Sequence, residues 1–291
     1  MAREISVLWD QPLKLPDPQP VASGPSVHES FKIRIEAPDL CNRYIGRIIR
    51  GVQVGPSPQW LQDQLATVFQ PLNKEWKPIN NVVDISNYVL METGQPLHAF
   101  DLQELFGNEV VVRAAADQEV FQALDHKLYR LETGMCVIAD SESAIALGGV
   151  MGGAETEVSQ KTTDLLIEAA QFAPLAVRQA ARTLNLHSPS SHRFERGVDP
   201  EGIDWASRRC CELILELAGG ELDQEVIDVG NPAAPREAVV LPLSELNRIL
   251  GIEVATEEVK RILLALGNNS LEATDESVTV TPPSWRPDLT R

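Results

Sequence analysis

Three clusters in the sequence carry residue types that could do chemistry. The first is residues 80–101, with His98; the second is the glycine-rich segment 148–153; the third combines Glu168 with residues 187–197. Polar side chains packed this densely among apolar ones indicate a hydrogen-bonded site rather than a plain surface. Paired glycines let a backbone approach a ligand closely, and their N–H groups can form a nest for an anion or an oxyanion.

Each cluster also has a purely structural interpretation. A lone histidine such as His98 is more often a satisfied structural residue, by roughly two to one. The glycine pairs are about equally well explained as turns or bulges. Glu168 stands between Ile167 and Ala169 in an apolar segment. Because a buried carboxylate is costly unless it has a partner, this residue favours a functional role.

Other chemistries find little support in the sequence. The serines near His192 show neither a nucleophile elbow nor the spacing of a catalytic triad. No metal-ligand spacing occurs, and GGVMGG is neither a Walker loop nor a dinucleotide-binding fingerprint. The group Arg193, Glu195 and Arg196 is interpreted as a structural ion-pair network. The four cysteines show no C-x-x-C spacing and are predicted to be buried, reduced thiols.

The charge of the chain limits its partners. A net charge of −17 and an isoelectric point near 4.7 argue against autonomous binding to DNA or RNA, which usually needs a basic face. They permit contact with a single-stranded end that another part of a complex delivers. The apolar runs are too short to span a bilayer and no signal peptide is evident, so we expect a cytoplasmic protein without membrane contact.

The elements that must position these clusters can be predicted from periodicity. Alternation at residues 31–36 and across 109–147 indicates strands, with a hairpin turn at Asp125-His126. Ser57 is predicted to cap a helix that begins at Pro58. The 291 residues suit two domains. We assign residues 1–26 to a linker with a helix remnant, 27–230 to a first domain and 237–291 to a second.

Several long motifs, in series, resemble a known family. NNVVDISNYVLMETGQPLHAFD, ALGGVMGG, LLIEAAQF and SSHRFERGVDP resemble the B3/B4 domain of the bacterial phenylalanyl-tRNA synthetase beta subunit, and LPLSELNRILG through TPPSWRPDL resembles its B5 domain. The resemblance implies an α+β fold, a β-rich mixed layered sandwich followed by a small α+β domain. It also implies that the chain is a piece of a longer subunit, with B5 truncated at its C-terminal end.

The resemblance implies an editing activity, namely hydrolysis of tyrosine wrongly attached to tRNA(Phe). Glu168 matches the family's glutamate that recognises the tyrosine hydroxyl. His98 matches the editing histidine, which orients a water molecule or the terminal ribose of the tRNA. Gly149 and Gly152 are expected to shape the pocket wall and to offer backbone N–H groups.

Four more residues complete the expected site. Ser188 is assigned to the catalytic side, while Ser190, His187 and Asn87 are assigned to substrate binding. Ser188 falls where the family often has threonine, Ser190 where it often has alanine, and Pro189 replaces a commonly acidic residue. Ser188 retains a hydroxyl that could position a water molecule, while the replacements at Pro189 and Ser190 alter the pocket wall around it.

The resemblance also implies the setting of this site. The expected partners are the aminoacyl end of tRNA(Phe), its tyrosine moiety and the alpha subunit of an α2β2 heterotetramer. No cofactor is expected in this chain, because the parent enzyme would use ATP and Mg²⁺ elsewhere. Two alternatives stay open: a non-catalytic scaffold that contacts tRNA, and a free-standing small-ester hydrolase, which the absence of an evident nucleophile disfavours.

Overall fold

The computed structural model describes residues 2–290, and these form two compact units. The larger unit is residues 17–232, and the smaller combines residues 2–16 with residues 233–290. The predicted linker 1–26 is therefore divided, because residues 2–16 belong to the smaller unit and residues 17–26 belong to the larger one. Within residues 2–290, no helix has the length and apolar character needed to cross a membrane.

The larger unit mixes strands and helices. Its strands are β1 Ala22–Ser26, β2 Lys32–Ile35, β3 Cys41–Arg50, β4 Leu97–Asp101, β5 Glu109–Ala114, β6 Val120–Gln122, β7 Leu128–Arg130, β8 Cys136–Ala139, β9 Ala144–Leu147, β10 Met151–Gly152, β11 Leu165–Phe172, β12 Glu221–Gln224 and β13 Ile227–Gly230. Its helices, following α1 Ala2–Leu8 of the smaller unit, are α2 Val27–Ser30, α3 Gln59–Phe69, α4 Asn81–Thr93, α5 Pro174–Thr183, α6 Pro189–Phe194 and α7 Gly202–Leu217.

Two sheets organise this unit. The first has the order β1-β12-β3-β11-β4, with β13 also paired to β3, and the second has the order β10-β9-β8-β5-β2. The short pair β6-β7 forms the predicted hairpin, whose turn residue His126 has a positive φ of 60°. The β-rich, layered α+β sandwich that the sequence predicted is confirmed.

Strand β11 is an interior strand of the first sheet and is buried on both faces. It lies antiparallel between β3 and β4. Because side chains alternate along a strand, Leu166 and Ala170 point into the core shared with the second sheet, and Leu165 and Ile167 point into the core shared with α3, α4 and α7. This double burial explains why LLIEAAQF reads as an almost continuous apolar run.

Helix α4 shows clear start and stop signals. The Asn80 side chain accepts the Val83 N–H at the first turn, and Gly94 ends the helix with a left-handed φ of 85°. Ser57 does not cap α3 as predicted, since Pro58 occupies the N-cap without a side-chain bond. The Ser57 hydroxyl instead donates to the buried Asp84 carboxylate, and the need to pair that carboxylate outweighs the capping preference.

The smaller unit contains a sheet of order β14-β16-β15 and two further helices: β14 Val239–Pro242, α8 Leu243–Leu250, α9 Thr256–Ala265, β15 Asn269–Ala273 and β16 Ser277–Thr281. Val259 of α9 packs against Val278 and Val280 of β16 to form its core. The guanidinium of Arg3 in α1 lies 3.9 Å from the ring centroid of Trp285.

Removing the α4 cap should measurably destabilise the larger unit. We expect Asn80→Ala to lower the free energy of unfolding by about 1 kcal/mol, because the Val83 N–H loses its acceptor. Gln64→Ala, an exposed change within α3, should stay within about 0.5 kcal/mol of wild type. Urea unfolding of both variants would measure this, and equal values for the two would contradict the role of the cap.

Candidate functional site

A narrow cavity opens between the two sheets of the larger unit. It is lined by side chains and backbone from β4, β8, β9, β11, α6 and the glycine loop, which we define as residues 148–153: Pro96, Leu97, His98, Ile138, Ala146, Leu147, Gly149, Val150, Met151, Gly152, Glu168, Ser190 and Phe194. We call it the inter-sheet cavity. Its volume is about 60 Å³. That is room for only a few water molecules, so a larger ligand enters only if lining side chains shift.

Strand register brings His98 and Glu168 together. The two residues are directly opposite each other in the antiparallel pair β4-β11, so their side chains project from the same face of the sheet. On the other side of β11, Gly46 of β3 is opposite Glu168. A Cβ atom at Gly46 would lie 2.4 Å from Ile33 Cδ1, so a side chain of the second sheet fills the space above the glycine.

The Glu168 carboxyl already binds a phenol of this chain. The hydroxyl of the fully buried Tyr44 donates a hydrogen bond of 2.8 Å to Glu168 Oε2. Within residues 2–290, Tyr44 provides the carboxyl group's only hydrogen bond. No sequence pattern points to Tyr44, since its position beside Glu168 follows from the pairing of Tyr44 with Ala170, two residues along β11.

Burial sets the protonation of Glu168. It raises the pKa of the carboxyl to about 7, while the hydrogen bond from Tyr44 acts in the opposite direction. Near neutral pH the group is therefore present in both protonation states. The ionised form accepts a bond from a hydroxyl, and the protonated form can donate as well as accept. In either state it can pair with a second phenol that enters the cavity.

His98 is a neutral imidazole with an unused nitrogen. Its Nε2 atom is buried and has no hydrogen-bond partner within the described residues. Burial lowers the pKa of His98 to about 4, so the ring is uncharged at neutral pH. The ring packs edge-on against Phe100, with centroids 4.4 Å apart. An unpaired nitrogen beside a cavity that also presents the Glu168 carboxyl is a position where a water molecule or a ligand hydroxyl can bind.

The glycine loop is shaped by close packing. A Cβ atom at Gly152 would lie 2.5 Å from His98 Cε1 and 2.7 Å from His98 Nε2, so the imidazole lies directly against this glycine. Gly149 has a positive φ of 71°, and a Cβ atom there would lie 2.9 Å from Val177 Cγ2. These contacts explain the residue type at both positions without reference to a ligand.

Some of the loop's backbone donors are already used. The N–H groups of Gly148, Val150 and Gly153 donate to the carbonyl oxygens of Cys136, Leu147 and Ile145. These three amides cannot bind an oxyanion without giving up a protein hydrogen bond. Met151 and Gly152 lie in β10, which pairs with β9, so the expectation of an anion nest is restricted to the loop amides outside these bonds.

Ser188 connects the glycine loop to α6. Its hydroxyl donates to the Val150 carbonyl at 2.8 Å and accepts the Ser191 N–H at 3.0 Å, while the Ser191 hydroxyl accepts the Ser188 N–H in a complete capping box. The single proton of the Ser188 hydroxyl is thus committed within the protein. The bond holds α6 in place, with Ser190 on the wall of the inter-sheet cavity.

The structure divides the predicted site residues between two places. His98, Gly149, Gly152, Glu168 and Ser190 line the inter-sheet cavity. Asn87, His187 and Ser188 instead line a wider neighbouring depression, which we call the surface groove: Val68, Phe69, Leu72, Asn73, Trp76, Asn87, Met91, Gly94, His187, Ser188, Pro189, Ser191, His192, Arg193, Glu195, Arg196 and Gly197. Helix α6 contributes to both, so it forms the wall between them.

The predicted ion-pair network is only partly present. Arg196 pairs with Glu195, but no carboxylate among residues 2–290 pairs with Arg193. The Arg193 guanidinium donates to the Pro189 carbonyl at 3.0 Å and to the Met91 sulfur at 3.2 Å. The network prediction is wrong for Arg193, because α6 turns its side chain towards α4 rather than towards Glu195.

The remaining titratable groups show no metal-binding arrangement. In the described part of the chain, no three histidine, cysteine or carboxylate side chains converge as metal ligands would. Cys41, Cys136, Cys210 and Cys211 are all buried and unpaired, as predicted.

Comparison with protein families agrees with this architecture. Residues 40–219, more than half of the chain, match the B3/4 domain, and residues 239–291 match the tRNA synthetase B5 domain. The chain therefore belongs to the B3/4 domain family and also carries a B5 domain. The boundaries of the two matches lie within the two compact units described above.

Similar proteins confirm the resemblance to phenylalanyl-tRNA synthetase beta subunits. The chain is 50% identical to a phenylalanine–tRNA ligase beta subunit of Rhodopirellula baltica, over 100% of this chain and 42% of that protein. It is 42% identical to that of Anaeromyxobacter dehalogenans, over 99% of this chain and 35% of that protein. The chain thus spans about two fifths or less of the length of these relatives.

A solved structure is similar at a lower level. It is an N-terminal fragment of the phenylalanyl-tRNA synthetase beta subunit from Pyrococcus horikoshii, with a TM-score of 0.42 and 13% identity, covering 99% of this chain and 77% of that one.

The buried Glu168 carboxyl should make stability depend on pH. Because its folded-state pKa is raised from 4.5 to about 7, the folded chain binds the proton more tightly than the unfolded chain. That stability is complete below pH 4.5 and is lost as pH rises through 7. Glu168→Gln cannot ionise, so at pH 8 we expect it to be more stable than wild type by up to about 3 kcal/mol.

Chemical denaturation at several pH values would measure this difference. At pH 4 the advantage of Glu168→Gln should be small, since the wild-type carboxyl is then protonated. Glu155→Gln, at an exposed position, is the matched control and should show no growing advantage. A difference between Glu168→Gln and wild type that stays constant from pH 4 to pH 8 would contradict burial as the cause.

The contact between Gly152 and His98 can be tested with a double-mutant cycle. Gly152→Ala should lower the free energy of unfolding by about 1–3 kcal/mol, because the new methyl group displaces the imidazole. In a His98→Ala background the same change should cost less, since the ring is gone. Thermal or urea unfolding of the four proteins gives the coupling, and an equal loss in both backgrounds would show that the ring is not the obstacle.

Proposed function

We propose that the larger unit hydrolyses tyrosine esters of tRNA(Phe), as the editing part of a phenylalanine–tRNA ligase beta subunit. Membership of the B3/4 family and the relatives described above support the setting. One observation supports the chemistry: a buried carboxyl that already bonds to a phenol lies directly across the strand pair from an unpaired imidazole nitrogen.

Selection for tyrosine follows from the cost of leaving Glu168 unpaired. Phenylalanine and tyrosine differ only by the phenolic hydroxyl, and Glu168 has one carboxylate oxygen without a hydrogen-bond partner among the described residues. A buried polar group built to pair with a hydroxyl rejects the analogue lacking it by roughly 10⁴-fold. Tyr44 keeps the carboxyl fixed, so the second oxygen is presented in a constant direction.

Hydrolysis of an activated ester requires a placed water molecule rather than a covalent nucleophile. Neutral His98 can hold that water, or the ribose hydroxyl beside the ester, through its unpaired Nε2. In this proposal Ser188 is a positioning residue, because its hydroxyl proton is bonded to the Val150 carbonyl. Because Gly152 has no side chain, the imidazole of His98 can lie directly against its backbone.

The wider setting is part of the same proposal. The parent enzyme would make Phe-tRNA with ATP and Mg²⁺ at sites outside this chain and would pair with an alpha subunit in the cytoplasm. The residues of this chain would then act only on the finished ester. This assignment rests on the names of the relatives together with the site geometry.

Glu168 should control which ester is hydrolysed. In the assembled synthetase, we expect Glu168→Ala to lower kcat/KM for Tyr-tRNA(Phe) by about 10- to 100-fold, the value of one hydrogen bond to a charged group. Hydrolysis of Phe-tRNA(Phe) should not fall. Deacylation of both substrates by the purified enzyme measures this, with Glu155→Ala as an exposed-carboxylate control.

A variant of His98 separates hydrolysis from selection. His98→Ala should lower kcat for Tyr-tRNA(Phe) by about 10²-fold through loss of water placement, while leaving the preference for tyrosine in place.

If Glu168→Ala still hydrolyses Tyr-tRNA(Phe) and spares Phe-tRNA(Phe) as wild type does, the role of Glu168 in selecting tyrosine is refuted. The scaffold interpretation would instead be favoured if the wild-type enzyme failed to hydrolyse Tyr-tRNA(Phe).

A further inference from the structure

The surface groove is unlike the rest of this acidic molecule. Its volume is about 1160 Å³, and its floor is apolar and aromatic. Phe69 and Trp76 stack there with centroids 5.7 Å apart and planes inclined by 15°. Leu72 is 80% exposed at the groove and Val68 is 40% exposed. A large apolar surface that is open to solvent is typical of a site that binds a ligand or another macromolecule.

The wall of the groove is basic. Residues 173–196 contain four arginines and two histidines but only one carboxylate, Glu195, in a chain with a net charge of −17. Four of these basic side chains line the groove: His187, His192, Arg193 and Arg196. Arg196 is paired with Glu195, which also lines the groove, so Arg193 is the arginine of this wall without a carboxylate partner among residues 2–290. A cation beside a low-dielectric surface attracts anionic ligands, whatever the net charge of the whole protein.

Arg193 is the strongest indication of an anion. It is half-buried, and it is held by the Pro189 carbonyl and the Met91 sulfur without a carboxylate partner among residues 2–290. Burial lowers its pKa, which shows the cost of holding this charge without a counterion. A planar guanidinium in a fixed position suits the bidentate recognition of a phosphate.

The groove and the inter-sheet cavity share one wall. Ser190 of α6 lines the cavity, while Pro189, Ser191 and Arg193 line the groove. The bond from the Ser188 hydroxyl to the Val150 carbonyl fixes this wall to the glycine loop. A ligand with its reactive ester in the cavity and a charged, ring-bearing tail would place that tail along the groove.

We propose that the surface groove binds the single-stranded 3′ end of tRNA, with a phosphate at Arg193 and a base stacked on Trp76. The inference rests on the proposed function, since it places the nucleotides that follow the ester. Stacking on aromatic rings combined with a cationic wall is the usual way in which proteins hold single-stranded nucleic acid. Lys77 is exposed next to Trp76 and adds a further positive charge.

Charge decides between RNA and a protein segment as the occupant. An apolar segment of another protein would cover the floor but would leave Arg193 without a counterion. A polynucleotide provides both parts, because its bases are flat and apolar on their faces and its backbone is anionic. We therefore place RNA in the groove and treat a protein occupant as a test outcome.

Binding can be measured without hydrolysis. The probe is a fluorescent single-stranded RNA that ends as the tRNA acceptor strand does, titrated into the assembled synthetase at several salt concentrations. We expect Arg193→Gln to weaken binding about 10-fold and to reduce the salt slope by about 0.7, the value for one phosphate contact on a single strand. Trp76→Leu should weaken binding at least about 5-fold with the salt slope unchanged.

The controls separate this proposal from the proposed function. Arg178→Gln, an exposed arginine on α5 outside the groove, should bind the probe as wild type does. In deacylation assays Arg193→Gln and Trp76→Leu should raise KM for Tyr-tRNA(Phe) more than they lower kcat. Normal KM and normal probe binding in both variants would overturn the groove proposal, even with editing intact.

Two further outcomes distinguish the groove proposal from the editing proposal and from a protein occupant. If the probe binds in a manner that depends on Arg193 but Tyr-tRNA(Phe) is not hydrolysed, the groove proposal stands and the editing proposal fails. If the two variants instead impair assembly of the synthetase while probe binding by the intact enzyme is unaffected, the occupant is a protein segment and the RNA proposal is wrong.

Discussion

The bond between Tyr44 and Glu168 is the interaction around which the larger unit is arranged. An ionisable carboxyl in an interior strand of a sheet, covered by a second sheet, would be strongly destabilising without a partner. Tyr44 supplies that partner from the neighbouring strand. Gly46 lies opposite Glu168 on β3 with Ile33 packed over it, and His98 lies opposite Glu168 on β4. Strand register therefore brings the carboxyl and the imidazole together, and the glycine loop and α6 complete the wall of the cavity.

Helix α6 has more influence than its length suggests. It is only six residues long, so its stability comes from its capping box and from its attachment to the glycine loop rather than from helix propensity. Phe194 anchors it in the core between the sheets, in an edge-on contact with Phe172. The same short element separates a buried hydrogen-bonding cavity from a solvent-filled groove.

The sequence predicted the parts of this structure that depend on local pattern. Alternation and the apolar run predict β11, and the cost of burying a carboxylate points to Glu168. Tyr44 could not be found in this way, because a tyrosine in a strand is ordinary until the register places it beside a carboxyl. The predictions for Ser57 and Arg193 are wrong for a related reason, since their side chains contact Asp84 and Met91, which are distant in sequence.

The site residues divided for a similar reason. Motif order placed Asn87 and His187 with His98, yet α6 lies between them and the cavity. Sequence proximity could not show on which side of a helix each residue would face. The roles of all these residues remain predictions from resemblance and geometry.

The four cysteines have a practical consequence. All are buried, and burial raises the thiol pKa of each, to about 12 for Cys136 and Cys211, so almost none is present as the reactive thiolate at neutral pH. They should react slowly with maleimides or mild oxidants while the chain is folded. A single cysteine introduced on the surface would then be the preferred attachment point for a fluorophore or spin label, without removal of the native thiols.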